Sequence, residues 1–428
     1  MKKTLLFLII LIIIGSGSYY YYQKIYLPSQ KPTLEIEKNK ATISEYYIYG
    51  THFNMTGIIK SINANFKNAN LVLWNTKTGK IKKYPINYKK NVTTVKFNLS
   101  DEINNGLYLD NIEEGNYKLY LRFSYQNNSK NNKDKTYKYY PIDNTTTYKN
   151  TTYHTLNKYN NILLIKTNKE TMSFNIKKDD NKSYDVVLDP SCGGIDKGVI
   201  ANGTNEATVT LSIAEKVKEL LEKKKIKVKL TRNKDSLSET DYFDEYNDGG
   251  RAVISHEINA KYLFSFQVNS NKNSSNGGFG IYTADGINYD FSAKLVESII
   301  SKTNLKTSTV TNHRIDYGIY THNFTKSEIA ENMAYYDQKG YKHYNVTTKS
   351  NYMYMIRESG GIITGAYVDD SNPEKIGVNK FYNSNIGAEA YVVELGYLTN
   401  KNDFNAMTTN KDAYAEAIST AIIEELKY

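Results

Sequence analysis

The sequence predicts a chain of three parts: an N-terminal membrane segment, an all-β domain and a C-terminal α/β domain whose mostly parallel sheet is flanked by helices. Three observations lead to this fold class. Leu5–Ile14 is a continuous apolar run, residues 33–180 contain short stretches in which every second residue is apolar, and from Tyr184 onward strand-like runs alternate with helical ones. The predicted boundaries are residues 1–26 for the membrane segment, 27–180 for the all-β domain and 181–428 for the α/β domain.

The composition is that of a folded, basic protein. A chain of 428 residues with 40% hydrophobic residues can build more than one core. The formal net charge of +10 favours an anionic neighbourhood such as a membrane surface or a phosphate-rich polymer, and no motif for nucleic-acid binding accompanies it. The alternative is a lysine-rich composition spread over solvated faces, since the lysines form no basic block. A single cysteine excludes a disulfide framework.

The N-terminus has the pattern of a targeting segment. Two lysines precede the apolar run and Tyr19–Tyr22 follow it. From Thr4 onward the segment approaches the roughly 20 residues that span a bilayer, with the lysines on the inner side and the tyrosines at the outer interface. The pattern predicts a signal anchor, and the alternative is a signal peptide cleaved near Ser18. In both cases the rest of the chain is exported, either anchored to the membrane or secreted.

The middle of the chain predicts short strands and no helix. Apolar residues alternate in Val95–Leu99, in Tyr117–Phe123 and in Met172–Ile176, so each strand has one buried face. Strands that recur at short intervals are typical of a β-sandwich of the immunoglobulin-like type. The many tyrosines and asparagines could form a sugar-binding surface. The alternative is a spacer or docking scaffold in which the tyrosines pack one face of the sandwich.

One stretch of the α/β domain combines a buried strand with a loop that can form a site. Val186–Leu188 is a short apolar run with two β-branched valines, typical of a parallel sheet, and the glycines of Asp189–Gly194 let the chain turn sharply after it. Glu206 then begins a helix. Two later runs, Tyr262–Phe266 and Val392–Leu395, predict further strands. Because open α/β sheets bind ligands at the carboxyl ends of their strands, the polar residues at these ends are candidate site residues.

These residues resemble the motifs of the zinc-dependent N-acetylmuramoyl-L-alanine amidases, which cleave bacterial peptidoglycan, and the resemblance covers Tyr184–Tyr428. In that family the first loop reads Asp-Pro-Gly-His-Gly-Gly and its histidine binds zinc. This chain has Asp-Pro-Ser-Cys-Gly-Gly, so Cys192 stands at the first ligand position. Where the family reads Ser-Ile-His-Ala-Asn, this chain has Ser-Phe-Gln-Val-Asn, so Gln267 stands at the position of the second zinc-binding histidine.

The other two functional positions of the family match. Glu206 occupies the position of the family's remaining zinc ligand, and Glu394, in the run Val392–Asn400, occupies the position of its catalytic general base. The resemblance therefore implies one site with Glu394 as its catalytic residue and with Cys192, Glu206 and Gln267 at the zinc positions. A carboxylate flanked by apolar residues, as Glu394 is, is costly to bury without purpose. For Cys192 and Glu206 the alternative is a structural role. Cys192 would be a small, half-buried packing residue, and Glu206 would be a carboxylate that the helix dipole favours at a helix start.

The substitutions argue against zinc as a working cofactor. Two neutral imidazoles and one carboxylate leave a zinc ion net positive, whereas Cys192 as thiolate, Glu206 as carboxylate and Gln267 as amide would bring the formal charge to zero and make a bound water less acidic. An amide oxygen is also a weak zinc ligand. The sequence thus predicts a pseudoenzyme at the extracytoplasmic face of the bacterial cell membrane or in the cell wall. Its partners would be peptidoglycan or muramyl peptides, or a cell-wall enzyme.

Two enzymatic alternatives stay open. The chain could be an active amidase whose metal site is rebuilt with His313, His322 or His343 from the stretch between residues 303 and 388. Alternatively Cys192 could be a nucleophile, although cysteine hydrolases need a histidine base and none is adjacent in the motif.

Overall fold

The computed structural model describes most of the chain after residue 33. The described residues are 34–102, 106–126, 135–144, 151–154, 161–167, 171–178, 184–233, 245–308, 313–340, 346–364, 379–381 and 384–426. We refer to residues 34–178 as the β-rich half and to residues 184–426 as the α/β half.

The β-rich half consists of strands and one short 3₁₀ turn, Leu109–Asn111, in the part of it that is described. Its strands are β1 Ala41–Tyr49, β2 His52–Lys60, β3 Asn68–Asn75, β4 Ile81–Pro85, β5 Asn87–Lys90, β6 Thr94–Leu99, β7 Leu107–Tyr108, β8 Gly115–Gln126, β9 Lys135–Asn144, β10 Thr151–His154, β11 Asn161–Thr167 and β12 Met172–Lys178.

These strands form one sheet that folds into two layers. β8 pairs with β3 along one edge and with β12 and β9 along the other. β9 leaves β8 after Pro141 and pairs with β1 through Ile142–Asn144, so it carries the sheet from one layer into the next. Phe53 of β2 and Phe174 of β12 meet between the layers, with their ring centroids 5.2 Å apart. Alternate residues of each strand therefore fill one shared apolar core.

The sequence predicts an immunoglobulin-like β-sandwich, and this predicted topology is wrong. The sheet has 13 strands in the described residues, and one of them, Ile386–Gly387, comes from the α/β half and pairs with β1. Apolar alternation determines which face of a strand is buried but not which strand lies beside it, so this pairing could not be predicted from the pattern.

The α/β half alternates strands with helices. Its strands are β13 Val186–Pro190, β14 Ile200–Ala201, β15 Thr204–Asn205, β16 Val228–Leu230, β17 Tyr262–Asn269, β18 Gly280–Tyr282, β19 Arg314–Asp316, β20 Ile319–Tyr320, β21 Ile386–Gly387 and β22 Glu389–Tyr397. Its helices are α1 Glu206–Lys223, α2 Ile254–Glu257, α3 Asp290–Thr303, α4 Lys326–Lys339, α5 Tyr354–Ser359, α6 Lys401–Met407 and α7 Lys411–Leu426, with a 3₁₀ turn at Gly361–Thr364.

The sheet of the α/β half is mixed, and the predicted mostly parallel sheet is corrected accordingly. Its order is β16-β13-β17-β22-β18-β20-β19, in which the first four strands are parallel. β18 is antiparallel to β22, and β19 is antiparallel to β20. A parallel connection needs a crossover, usually a helix, that returns the chain to the other edge. No helix lies between β17 and β18, so β18 starts at the edge where β17 ends and runs in the opposite direction.

The predicted membrane segment, residues 1–26, lies outside the described residues. Among the residues that are described, no helix is both long and apolar enough to cross a membrane. The fold class of the described residues is a two-layer β region joined to a mixed α/β sheet.

The two halves pack against each other. Tyr49 of β1 belongs to an apolar cluster of the α/β half, and its hydroxyl accepts a hydrogen bond from the Ala390 backbone N–H at 2.9 Å. Lys261 of the α/β half lies 2.6 Å from a carboxylate oxygen of Asp110, and both side chains are buried. We call this contact region the junction.

Candidate active site at the carboxyl ends of the parallel strands

A buried ion pair holds the strand ends together. Asp189, near the end of β13, accepts hydrogen bonds from the Arg251 guanidinium at 3.0 and 2.7 Å. It also accepts bonds from the hydroxyls of Thr231 at 2.8 Å and Ser265 at 2.7 Å. Burial would raise the pKa of Asp189, but the charge and hydrogen bonds of Arg251 bring that pKa below its ordinary value. The network fixes the start of the loop that follows Pro190.

Glu206 is the first residue of α1, and its carboxylate is held by protein donors. One oxygen accepts a hydrogen bond from the Ser191 hydroxyl at 2.6 Å and another from the Val268 backbone N–H at 3.0 Å. The other oxygen accepts a bond from the Val199 backbone N–H at 3.2 Å. The Asn205 side chain caps the helix by accepting from the Thr208 N–H. These contacts attach the helix start to the ends of β13 and β17.

Cys192 lies beside Glu206 in a left-handed backbone conformation, with a φ of +60°. Both side chains also lie close to Gly198. A Cβ atom at residue 198 would lie 2.7 Å from the Cys192 sulfur, so only glycine fits at this position. Burial, and next the negative charges of Glu206 and Asp196, raise the pKa of the Cys192 thiol to about 12. A pKa this high favours the protonated thiol at neutral pH, and a protonated thiol is a poor nucleophile.

Gln267 and Glu394 are partners in register on the parallel strands β17 and β22, and both are half-buried. Burial raises the pKa of Glu394 to about 7; a hydrogen bond with Asn269 opposes this effect, and the charge of Glu206 adds to it. Since Glu206 acts on Glu394 and borders Cys192, the structure brings all four predicted site residues to one edge of the sheet. A carboxyl group with a pKa near neutrality can both accept and donate a proton there.

The histidines proposed for a rebuilt site lie elsewhere. His313 and His322 stack on each other with ring centroids 3.7 Å apart, and His322 Nε2 lies 2.9 Å from a carboxylate oxygen of Glu328. His322 follows β20, which is four strands away from β13 in the sheet order, roughly 19 Å at the usual strand spacing. His343 lies outside the described residues. The structure therefore does not bring His313 or His322 to Cys192.

The residues at the family zinc positions do not fit a zinc ion. The Glu206 carboxylate already accepts three hydrogen bonds, and Gln267 offers a neutral amide oxygen, which is a weak zinc ligand. In the described part of the chain, the His, Cys, Asp and Glu side chains that come close enough to share an ion are His52, Asp101 and Glu389, at the junction.

The sequence reasoning missed two contacts of this site. Ser191 replaces the glycine of the family motif, and its hydroxyl contacts the Glu206 carboxylate. That substitution directly precedes the one at Cys192, so two changes together in one short loop were the available signal. Asn269, which hydrogen-bonds Glu394, lies two residues after Gln267, and nothing in the local pattern marked it.

The fold and the site define an α/β domain of the peptidoglycan-amidase class, with carboxylates where its parallel strands end. The model of the N-acetylmuramoyl-L-alanine amidase family, Amidase_3, matches residues 186–424, more than half of the chain. The chain belongs to this family, as its motifs predict.

Solved structures of the family match the chain at low identity. The amidase AmiC2 of Nostoc punctiforme is 21% identical with a TM-score of 0.37, and the match covers 57% of this chain and 98% of that one. An amidase from Clostridium difficile 630 is 19% identical with a TM-score of 0.37, covering 58% and 98%. The CwlD amidase from Clostridioides difficile, solved in complex with the GerS lipoprotein, is 20% identical with a TM-score of 0.35, covering 57% and 99%. No curated protein matches the chain.

Proposed function

We propose that this chain is a cell-wall protein whose amidase domain holds peptidoglycan without cleaving it. One observation carries the proposal: the carboxylate of Glu206, at a zinc position of the family, is held by the Ser191 hydroxyl and by the backbone N–H groups of Val199 and Val268. These three donors occupy lone pairs of the carboxylate oxygens that a metal ion would otherwise use. The loop is thus closed by protein groups where the family uses a metal.

The edge of the sheet keeps groups that suit a glycopeptide. Gln267 and Glu394 lie side by side and half-buried, and with a pKa of about 7 the Glu394 carboxyl is partly protonated at neutral pH. Together with the amide of Gln267 it offers hydrogen-bond donors and acceptors to the amides of a peptide stem. In this proposal the ligand is peptidoglycan or a muramyl peptide, and the protein works on the outer side of the bacterial cell membrane, against the wall. A wall-remodelling enzyme is the further partner to test.

The first prediction concerns hydrolysis and binding. The purified chain should cosediment with insoluble peptidoglycan but release no peptide from it, with or without added zinc, because no ligand set holds the ion near Glu394. Added cobalt(II) should give no thiolate-to-metal charge-transfer absorption, because the Glu206 carboxylate is held by protein donors and Gln267 offers only an amide, so Cys192 lacks strong co-ligands. Glu424→Gln, a change at an exposed residue far along α7, is the control and should leave cosedimentation unchanged.

The alternative function is an active amidase, and one observation favours it: Glu394 has the pKa of a general base. Chelator-sensitive release of peptides by the unmodified chain would establish this alternative and overturn the proposal. In that case Glu394→Gln should abolish turnover and leave the fold intact.

The second prediction is that the family site can be restored. The triple variant Ser191→Gly, Cys192→His and Gln267→His should bind one zinc ion per chain more than the parent, because it recreates the three protein ligands and releases Glu206 from the Ser191 hydroxyl. A histidine is tolerated at the left-handed φ of Cys192. The variant with Ser191 retained is the matched control and should bind the added zinc more weakly. A folded triple variant that gains no zinc would show that Glu206 is not a ligand position.

A further inference from the structure

We propose that His52, Asp101 and Glu389 form a binding site for a divalent transition-metal ion at the junction of the two halves. We call these three residues the junction triad. One ligand atom from each of them lies within 4.8 Å of the other two. The inference goes beyond the proposed function, because the triad belongs to none of the family's positions.

The triad is well defined by its contacts. His52 Nδ1 lies 2.6 Å from one carboxylate oxygen of Glu389, and both side chains are largely buried. Gly50, with a φ of +55°, allows this approach, since a Cβ there would overlap the Glu389 side chain. The rings of His52 and Tyr108 meet edge to face, with their centroids 5.5 Å apart.

Asp101 supplies the observation that points to a ligand. Its side chain is 2% exposed, and its Oδ1 atom has no hydrogen-bond partner. A buried carboxylate oxygen without a partner is costly, and proteins usually satisfy it with a hydrogen bond or a cation. The pKa of Asp101 is raised to about 6, chiefly by burial; His52 opposes this rise and the neighbouring Glu389 carboxylate contributes to it. A divalent ion between these groups would relieve both the desolvation and the repulsion.

A cavity of about 360 Å³ opens onto the triad. It is lined by all three triad residues together with Tyr108, Lys294 and Glu425. Lys294 and Glu425 pair with each other at 2.8 Å, so the Lys294 ammonium is engaged outside the triad. The cavity has room for water molecules, which can complete the coordination of an ion that has three protein ligands.

The ligand types select the ion. One imidazole nitrogen and two carboxylates suit zinc or a neighbouring transition metal better than calcium or magnesium, which prefer oxygen ligands alone. Tetrahedral zinc ligands at bond lengths of about 2.1 Å lie about 3.4 Å apart, so side-chain shifts of about 1 Å from the observed spacing suffice. With two carboxylates and a neutral imidazole, a divalent ion makes the site formally neutral.

The junction triad is separate from the family site. Glu389 is the first residue of β22, and Glu394 is five residues further along the same strand, roughly 17 Å away at the usual rise. The ligands also come from both halves: His52 and Asp101 belong to the β-rich half and Glu389 to the α/β half. A bound ion would therefore connect the two halves directly.

The test is a titration of the full chain with Zn²⁺, followed by calorimetry and by thermal melting. We expect one saturable site, and a higher melting temperature when it is filled. Asp101→Asn should weaken zinc binding by at least about 100-fold, since loss of even an outer-shell partner costs a metal site 10- to 100-fold. Without zinc this variant should melt no lower than the parent, because it removes a buried charge next to Glu389.

Two controls separate this site from others. Glu424→Gln changes another carboxylate that lines the same cavity, and Cys192→Ser changes the family site; both should bind zinc like the parent. Cobalt(II) at the junction triad should show ligand-field bands without a thiolate charge-transfer band. Absence of saturable zinc binding, or unchanged zinc affinity in Asp101→Asn, would overturn the proposal. His52 and Glu389 would then be only a hydrogen-bonded pair that shares a proton. A thiolate band lost in Cys192→Ser would instead contradict the proposed function.

Discussion

Replacing Lys261 by methionine should lower the free energy of unfolding by about 3–5 kcal/mol, the usual cost of removing one partner from a buried ion pair. The Lys261 ammonium lies 2.6 Å from a carboxylate oxygen of Asp110 and 3.4 Å from one of Asp185, and each of these side chains is 1% exposed. Methionine keeps the apolar stem of the side chain, so the loss reports on the charge rather than on packing. Urea unfolding of the two chains measures it.

The loss should depend on pH in a defined direction. Burial raises the pKa of Asp185 even with Lys261 present, and without the ammonium it should rise further. A carboxyl group whose pKa is higher in the folded than in the unfolded chain destabilises the fold at neutral pH, and this cost disappears as the pH falls. The deficit of Lys261→Met should therefore shrink between pH 7 and about pH 5. Lys229→Met, at an exposed position of β16, is the control; an equal loss there would contradict the assignment.

Replacing Arg251 by methionine should cost a similar amount, about 3–5 kcal/mol. The Asp189 carboxylate is fully buried, and without the guanidinium it keeps only the hydroxyls of Thr231 and Ser265. Because the pKa of Asp189 is lowered in the folded chain, its ionised form stabilises the fold above the unfolded pKa. The difference between parent and variant should be largest at neutral pH and should shrink below about pH 4.

The matched control for this variant is Arg314→Met, which changes an exposed arginine of β19. It should leave the free energy of unfolding within about 0.5 kcal/mol of the parent. Should Arg251→Met be as stable as the parent, Asp189 would not depend on Arg251 for its charge, and the support of the Pro190 loop would have to come from the hydroxyls alone.

The sequence signals that mark the candidate site are local. The short apolar run before Asp189 predicts a buried strand, and the position of Glu206 at a helix start follows from the pattern after the glycine loop. The ends of the strands that carry Gln267 and Glu394 are marked in the same way, and in parallel strands such ends meet at one edge. Four residues could therefore be placed together before any contact between them was known.

The parts that the sequence does not predict depend on distant pairings. β18 has three residues, too few to show a periodic pattern, so its antiparallel direction beside β22 has no local signature. The junction triad joins His52 to Glu389 across 337 residues of sequence, and no motif links the two. Ser191 is a third case, since its contact with Glu206 depends on how the loop folds back.

The pairing of β21 with β1 has a consequence for the order of folding. The hydrogen bond between Tyr49 and Ala390 joins residues 341 positions apart. At a synthesis rate of about 5–20 residues per second, β1 leaves the ribosome roughly 17–70 s before its partner does. During that interval Tyr49 and the adjoining edge of β1 have no place to pack. A chain truncated before residue 386 would keep the pairing of β1 with β2 and β9 but would leave the edge of β1 at Ile48 and Tyr49 unpaired, and an exposed strand edge favours aggregation.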